Sequence, residues 1–367
     1  MPRLTCTILG TVGVPGNYGG FETLVENLVR FHGEHKLGCQ LSVYCSAKAF
    51  ETHPSEFLGA ELRYINLNAN GSQSIVYDVL SLLDAVRHRS DVIVLLGVSG
   101  ALALPLIRLV SRARILTNID GIEWKREKWR GLARLILRLS ERAAVRWSHA
   151  VIADNAAIAD HVQNRYRTSC YVIAYGGDHA LAAEPMADPS LMLPAKYALA
   201  LCRIEPENNV AMILEAFSRM PERDLVFVGN WDKSNYGRDL RARYCGHANL
   251  YLIDAVYDAG RLRWIRDGAA VYIHGHSAGG TNPSLVEMMH FGIPVFAYGC
   301  SFNFHTTEEQ ASYFESADAL IGSLEGMDAM RSQETGKYMR EIAQRRYTWE
   351  HVGRAYFELI ESLGQKS

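Results

Sequence analysis

The chain has 367 residues, 48% of them hydrophobic, and a formal net charge of −2 at pH 7. That length allows two domains of ordinary size, and the balanced charge excludes the broad positive field that nucleic acid demands. Seven scattered cysteines (Cys6, Cys39, Cys45, Cys170, Cys202, Cys245 and Cys300), with no Cys-x-x-Cys pair, argue for reduced thiols rather than a disulfide framework or a metal cluster.

Residues 4–9 read as a first strand; the N-terminal stretch is too short and too polar for a signal peptide. A glycine-rich turn, Gly10 to Gly20, leads to a helix starting near Phe21. Its spacing is not G-x-G-x-x-G, which disfavours a nicotinamide cofactor. Further strands are predicted at 41–45, 92–96, 115–118, 150–153 and 170–174, and then at 197–202, 225–228, 250–252, 270–273 and 295–298. The apolar run 92–107 is broken by Gly97, Ser99, Gly100 and Pro105. It falls short of the roughly 20 residues of a membrane span, so strand, glycine turn and amphipathic helix fit it better.

Arg126, Arg130, Arg134, Arg138, Arg142 and Arg146 recur every four residues along one predicted helix, with Lys125 and Lys128 near its start and Leu132, Leu135, Ile136 and Leu139 among them. This pattern suits either a membrane-surface helix or a solvated basic face. The loosest segment holds Pro185, Pro189 and Pro194 and reads as a linker. Strand–helix alternation on either side of it predicts an α/β chain with parallel sheets covered on both faces. The expected domains are 1–180 and 196–346, Rossmann-like and facing across a cleft, with a linker at 181–195. A C-terminal helix at 347–367 is expected to pack back on the first domain.

The most informative stretch is His274 to Pro294. A buried strand runs into Gly279-Gly280-Thr281-Asn282, and a helix then starts near Ser284 and stops at Gly292 and Pro294. Free backbone N–H groups at that helix start, aided by the dipole, can seat an oxyanion. Glu287, one turn inside, can accept hydroxyl groups. The chemistry indicated is binding of a nucleoside diphosphate joined to a sugar. His274, flanked by the apolar strand, reads as an interior histidine; His276 lies nearer the loop.

Four segments in order, Tyr18-Gly-Gly-Phe-Glu-Thr23, Asp120-Gly-Ile-Glu-Trp-Lys-Arg126 with Lys128-Trp129, Arg203-Ile-Glu-Pro-Glu-Asn-Asn209, and His274 to Glu287, carry a resemblance. The chain resembles the retaining GT-B glycosyltransferases of glycosyltransferase family four, nearest their bacterial rhamnosyltransferase-like branch. The resemblance implies a GT-B fold and a metal-independent reaction with no cofactor beyond the nucleotide-sugar donor. It implies that Glu287 holds the nucleotide ribose and that Arg203 contacts the diphosphate. Two positions depart from the broad family: its first donor-site glutamate falls on Gly279, and a diphosphate lysine falls on Asn208. Losing that carboxylate suits a less hydroxylated sugar, such as a 6-deoxyhexose.

Under this resemblance the catalytic residues are Asp120, Arg203 and Glu287. The donor-binding set is Gly19, Gly20, Arg203, Asn208, His276, Gly279, Gly280, Thr281, Asn282, Ser284 and Glu287. Acceptor or membrane contacts fall to Tyr18, Asp120, Glu123, Lys125, Arg126, Arg130 and Arg134. A plainer reading has Asp120 capping the turn into the following helix. The implied activity is retaining transfer of a sugar, L-rhamnose from dTDP-rhamnose first, onto a polyprenyl-diphosphate-linked oligosaccharide. Its expected place is the cytoplasmic face of the cell membrane, bound peripherally. A UDP- or GDP-hexose donor, or a non-catalytic nucleotide-sugar-binding role in glycan assembly, stands as the alternative.

Overall fold

A computed structural model describes residues 4–16, 19–125 and 131–365. It divides into two compact units. One runs up to Tyr175 and takes up the chain again from Trp349; the other is Gly176–Thr348. The segment expected as a linker, 181–195, therefore belongs to the second unit.

The first unit contains β1 (Thr5–Leu9), α1 (Gly20–Glu34), β2 (Gln40–Ser46), β3 (Glu56–Phe57), β4 (Ala60–Ile65), α2 (Ser74–Arg87) and β5 (Val92–Leu96). It continues with α3 (Leu104–Val110), β6 (Arg114–Asn118), α4 (Gly131–Trp147), β7 (Ala150–Ala153), α5 (Ala156–Tyr166) and β8 (Tyr171–Val172). Its strands form one sheet in the order β3-β4-β2-β1-β5-β6-β7-β8. All pairs are parallel except the β3–β4 hairpin at the edge. Central strand β5 is buried along its whole length, which is why it reads as an unbroken apolar run.

The second unit contains β9 (Tyr197–Leu201), α6 (Val210–Ser218), β10 (Leu225–Gly229), α7 (Asn235–Tyr244), β11 (Leu250–Asp254), α8 (Ala259–Asp267) and β12 (Ala269–His274). After these come α9 (Pro283–Met289), β13 (Val295–Tyr298), α10 (Ser301–Thr306), β14 (Ser312–Phe314), α11 (Ala317–Glu325) and α12 (Ala329–Arg346). The sheet order is β11-β10-β9-β12-β13-β14, parallel throughout. Phe217, Phe227, Trp231, Ile273, Phe296 and Phe314 fill the core on one side of it. The proline-rich stretch is bound to α8: Met186 N–H donates to the Gly260 carbonyl at 2.9 Å, and Asp188 pairs with Arg261. Those bonds give irregular backbone a fixed course that composition alone does not reveal.

The last helix, α13 (Trp349–Gly364), returns to the first unit and packs on α1, as the sequence predicts. Phe357 stacks on Phe31 with ring centroids 5.9 Å apart. The buried hydroxyl of Tyr356 accepts a 2.7 Å bond from the Asn118 side-chain amide at the end of β6. Tyr356→Phe leaves that buried amide without its acceptor, so a loss of about 1–3 kcal/mol is expected in urea unfolding. Tyr356→Phe with wild-type stability would show that the bond carries no net weight.

Among the described residues no helix is long and apolar enough to cross a membrane. All seven cysteines are free thiols.

Candidate functional site

In a doubly wound sheet, ligands bind beyond the carboxyl ends of the strands where the strand order reverses. In the second unit that point lies between β9 and β12. The loop after β9 carries Arg203, and the loop after β12 carries His276, Gly279, Gly280, Thr281 and Asn282. The two loops are stitched together. Asn209 Nδ2 donates to the Gly275 carbonyl at 2.8 Å, and Ser277 donates to the Glu207 carbonyl from both its amide (3.0 Å) and its hydroxyl (2.8 Å).

Arg203 is partly exposed, and its carboxylate neighbour Glu205 is 3.7 Å away, a loose pair of small energetic weight. Its guanidinium is exposed enough to meet a further anion. Asn208, expected at the donor, is buried instead: its Nδ2 donates to the Arg203 carbonyl at 2.7 Å. A short amide there closes the turn that presents Arg203.

Asn282 caps α9, its Oδ1 accepting from the Ser284 amide at 3.0 Å and the Ser284 hydroxyl at 2.7 Å. Ser284 in turn meets the Tyr272 hydroxyl at 3.0 Å, and Tyr272 reaches His274 Nδ1 at 3.4 Å. His274 is buried, with Nε2 lacking a hydrogen-bond partner among the described residues; burial holds its pKa down to about 3. It stacks on His276 at 4.9 Å between centroids. Thr281 is buried, and Gly279 has φ +123°.

Glu287 is buried on α9 and both its oxygens are engaged. Arg266 of α8 pairs with one, and His179 Nε2 lies 3.3 Å from the other. Burial raises its carboxyl pKa, but Arg266 and then His179 outweigh that effect and hold it below the ordinary value. Neither partner was singled out from sequence. His179 follows a backbone approach that only glycine allows: a Cβ on Gly177 would fall 2.6 Å from the Val286 carbonyl carbon of α9.

In the first unit the strand order reverses between β1 and β5, where the Gly10–Gly20 turn lies. Glu22 organises it, accepting from the Val12 amide at 2.9 Å and the Thr11 hydroxyl at 3.1 Å, while Glu26 accepts from the Gly16 amide at 2.8 Å. Gly19 has φ +136°, a backbone conformation that residues with a side chain rarely adopt. Gly20 faces the Tyr175 hydroxyl, 3.5 Å from where its Cβ would be. Glu22 lies within the Tyr18–Thr23 motif, and its sequence position alone does not reveal this role. A carboxylate in the first helical turn after the paired glycines is the available signal.

Asp120, two residues past β6, adopts φ +53°, and its amide donates to Asn118 Oδ1 at 3.0 Å. Burial first, then the Asp120 and Asp154 carboxylates, push the Tyr175 phenol well above its usual pKa. Asp154 is also buried. Asp120 thus belongs to a group with Asp154, Tyr175 and Tyr356 that only folding assembles. The backbone at Glu123 begins a one-turn 3-10 helix, Glu123–Lys125. Trp124 in that turn donates to Glu141 of α4 at 2.8 Å, and Arg134 donates to the Trp124 carbonyl at 2.9 Å. Tyr18, Arg126 and Arg130 lie outside the described residues, as does the Lys125 side chain. The arginine-bearing helix itself begins at Gly131. Among the described residues no cluster of three or more His, Cys, Asp and Glu side chains is arranged to hold a metal ion.

Residues 4–178 match a family described as a domain of unknown function (DUF1972). No curated protein matches the sequence. By structure the chain is similar to sucrose-phosphate synthase from Thermosynechococcus elongatus, with TM-score 0.81 and 16% identity over 100% of both chains. It is similar to a glycosyltransferase from Rickettsia africae, with TM-score 0.72 and 12% identity over 100% of both. A third similar structure is Anabaena HepE in complex with UDP-glucose, with TM-score 0.71 and 14% identity, covering 98% of this chain and 100% of that one. These likenesses define the fold as GT-B.

Proposed function

We propose that the chain is a glycosyltransferase taking its sugar from a nucleotide-sugar donor. The observation that carries this reading is the pair of stitched loops at the switch point of the second sheet, which present the loosely paired Arg203 guanidinium. A planar guanidinium binds phosphate oxygens in bidentate fashion, the recognition a diphosphate needs. The GT-B fold adds support, since a structure of this fold holds UDP-glucose in HepE and another holds ADP in Arabidopsis starch synthase IV.

The finer reading is retaining transfer of L-rhamnose from dTDP-rhamnose onto a lipid-linked oligosaccharide. The absence of a carboxylate at Gly279 favours a sugar with one hydroxyl fewer. Arg203 stabilises the charge of the departing diphosphate, which takes the acceptor proton itself; positioning and electrostatics then supply most of the rate. Glu287, kept ionised by Arg266 and His179, is assigned to the ribose. Asp120 is assigned to orient the acceptor hydroxyl.

A thermal-shift panel of dTDP, UDP, GDP, ADP and their sugar conjugates tests the donor, because a ligand of the native state raises its melting temperature. Selective stabilisation by dTDP-rhamnose is expected. Stabilisation by UDP-glucose instead would keep the transferase and discard rhamnose; no response to any of them would remove the donor site. Arg203→Ala is expected to lower turnover roughly 10²–10³-fold, the usual effect of deleting one charge-stabilising group, and to abolish the nucleotide shift in a folded protein.

A further inference from the structure

The face of the first unit formed by α4 and the end of α5 holds a cavity of about 760 Å³ that plays no part in the reading above. Arg138, Arg142 and Arg146 line it from α4 and Arg165 from α5, with Leu135 and Leu139 in the same wall. None of the four arginines makes an ion pair with a carboxylate among the described residues. Glu141 of α4 is buried behind this wall, accepting from Trp124 at 2.8 Å, His161 at 2.9 Å and Tyr166 at 2.7 Å, and the Tyr166 hydroxyl accepts in turn from Arg165 at 3.1 Å. Aromatic faces fix the guanidinium groups: Arg138 and Arg165 lie over Trp124, at 5.8 and 5.1 Å, and Arg146 lies over Trp147 at 5.6 Å. Three of these cations are held by aromatic faces around one cavity, and none of the four pairs with a carboxylate among the described residues.

Exposed aliphatic side chains accompany these cations. Leu132, one turn before Leu135, is 72% exposed. On α3, which packs against α4, Leu106 and Val110 are exposed and Leu109 is 84% exposed. Large aliphatic side chains grouped in this way mark an interaction surface rather than ordinary scatter. Positive charge that finds no carboxylate partner among the described residues, beside exposed aliphatics, matches one partner chemistry: phosphate headgroups with acyl chains beneath them.

We infer that this face docks on the surface of a bilayer containing anionic phospholipid, with a headgroup phosphate entering the arginine-lined cavity and the α3 and α4 leucines entering the acyl boundary. The inference stands on its own observations and does not depend on the transferase reading, whose donor site is in the second unit. Soluble protein and free phosphate are the competing occupants.

Sedimentation of the full chain with vesicles of phosphatidylglycerol and phosphatidylcholine, against phosphatidylcholine alone, tests it. The chain is expected on the anionic vesicles at low salt, released by high salt as screening removes the charge attraction. Arg142→Gln/Arg146→Gln is expected to weaken retention on the order of twenty-fold, as befits two surface cations. Leu135→Gln/Leu139→Gln is expected to weaken it as well, both variants keeping the wild-type circular dichroism and nucleotide thermal shift. Retention unchanged in both folded variants, or absent at low salt, would overturn the inference. So would full competition by millimolar inorganic phosphate, which would make the cavity a site for a soluble anion.

Discussion

Arg266→Met is expected to destabilise the second unit by about 3–5 kcal/mol, the usual cost of removing one member of a buried ion pair. The reason is local. Glu287 is buried on α9, and without the guanidinium from α8 its carboxylate keeps only His179, which is partly exposed and charged only when protonated. The double variant Arg266→Met/Glu287→Leu is expected to recover much of the loss, because it removes the stranded charge along with its partner. The linked pH effect has a definite sign. Glu287 titrates below its unfolded value in the folded protein, so its contribution is complete above the ordinary carboxylate range and disappears as pH falls through the folded value. Urea unfolding of the single and double variants checks both points. Equal losses in the two would mean that packing rather than charge holds α8 to α9.

Acid is expected to weaken the second unit through His274 as well, by about 5 kcal/mol in total. Burial holds its folded pKa at about 3, while the unfolded chain takes up the proton near 6.5. The unfolded state therefore binds more protons between those values, and stability falls by about 1.4 kcal/mol for each pH step below 6.5. Tyr272 and His276 face the ring, and neither supplies a negative charge. Two groups in the first unit titrate in the same region. His149, lowered to about 4 by burial, Arg108 and Arg114, acts in the same direction. Asp78 acts oppositely: burial, only partly offset by the Gly100 amide, lifts it to about 8, so its contribution is lost as pH rises from about 4 toward 8. The measurement is accordingly a difference. Melting temperatures of wild type and His274→Leu are compared from pH 7 to 4.5, and the variant is expected to have the shallower acid slope. Parallel curves would remove His274 from the acid response.

Each strand expected from sequence has its counterpart in the structure, because continuous apolar runs such as 92–96 follow directly from burial on both faces. Strands β3, β4 and β14 have no such apolar run. β4 lies between the β3 edge hairpin and β2, and carries an outward Glu61–Arg63 pair, so its pattern is half polar; β14 has three residues. The candidate site divides in the same way. Local motifs point to Arg203, the 274–284 loop and Glu287 as candidates. What they could not supply was the partner set, since Arg266 and His179 come from segments with no motif of their own. Asn208 shows the opposite case: at a position where the resemblance implies a diphosphate lysine, a short amide is part of the turn itself.

The return of α13 to the first unit has a consequence for synthesis of the chain. The helix that covers Phe31 and anchors Asn118 is translated only after the whole second unit. At typical elongation rates the earlier part of the first unit waits on the order of ten seconds with that surface open. The second unit, contiguous from Gly176 to Thr348, can close while the ribosome is still adding the last helix. The unit begun first is the one finished last, and the nascent chain needs protection on the α1 face until then.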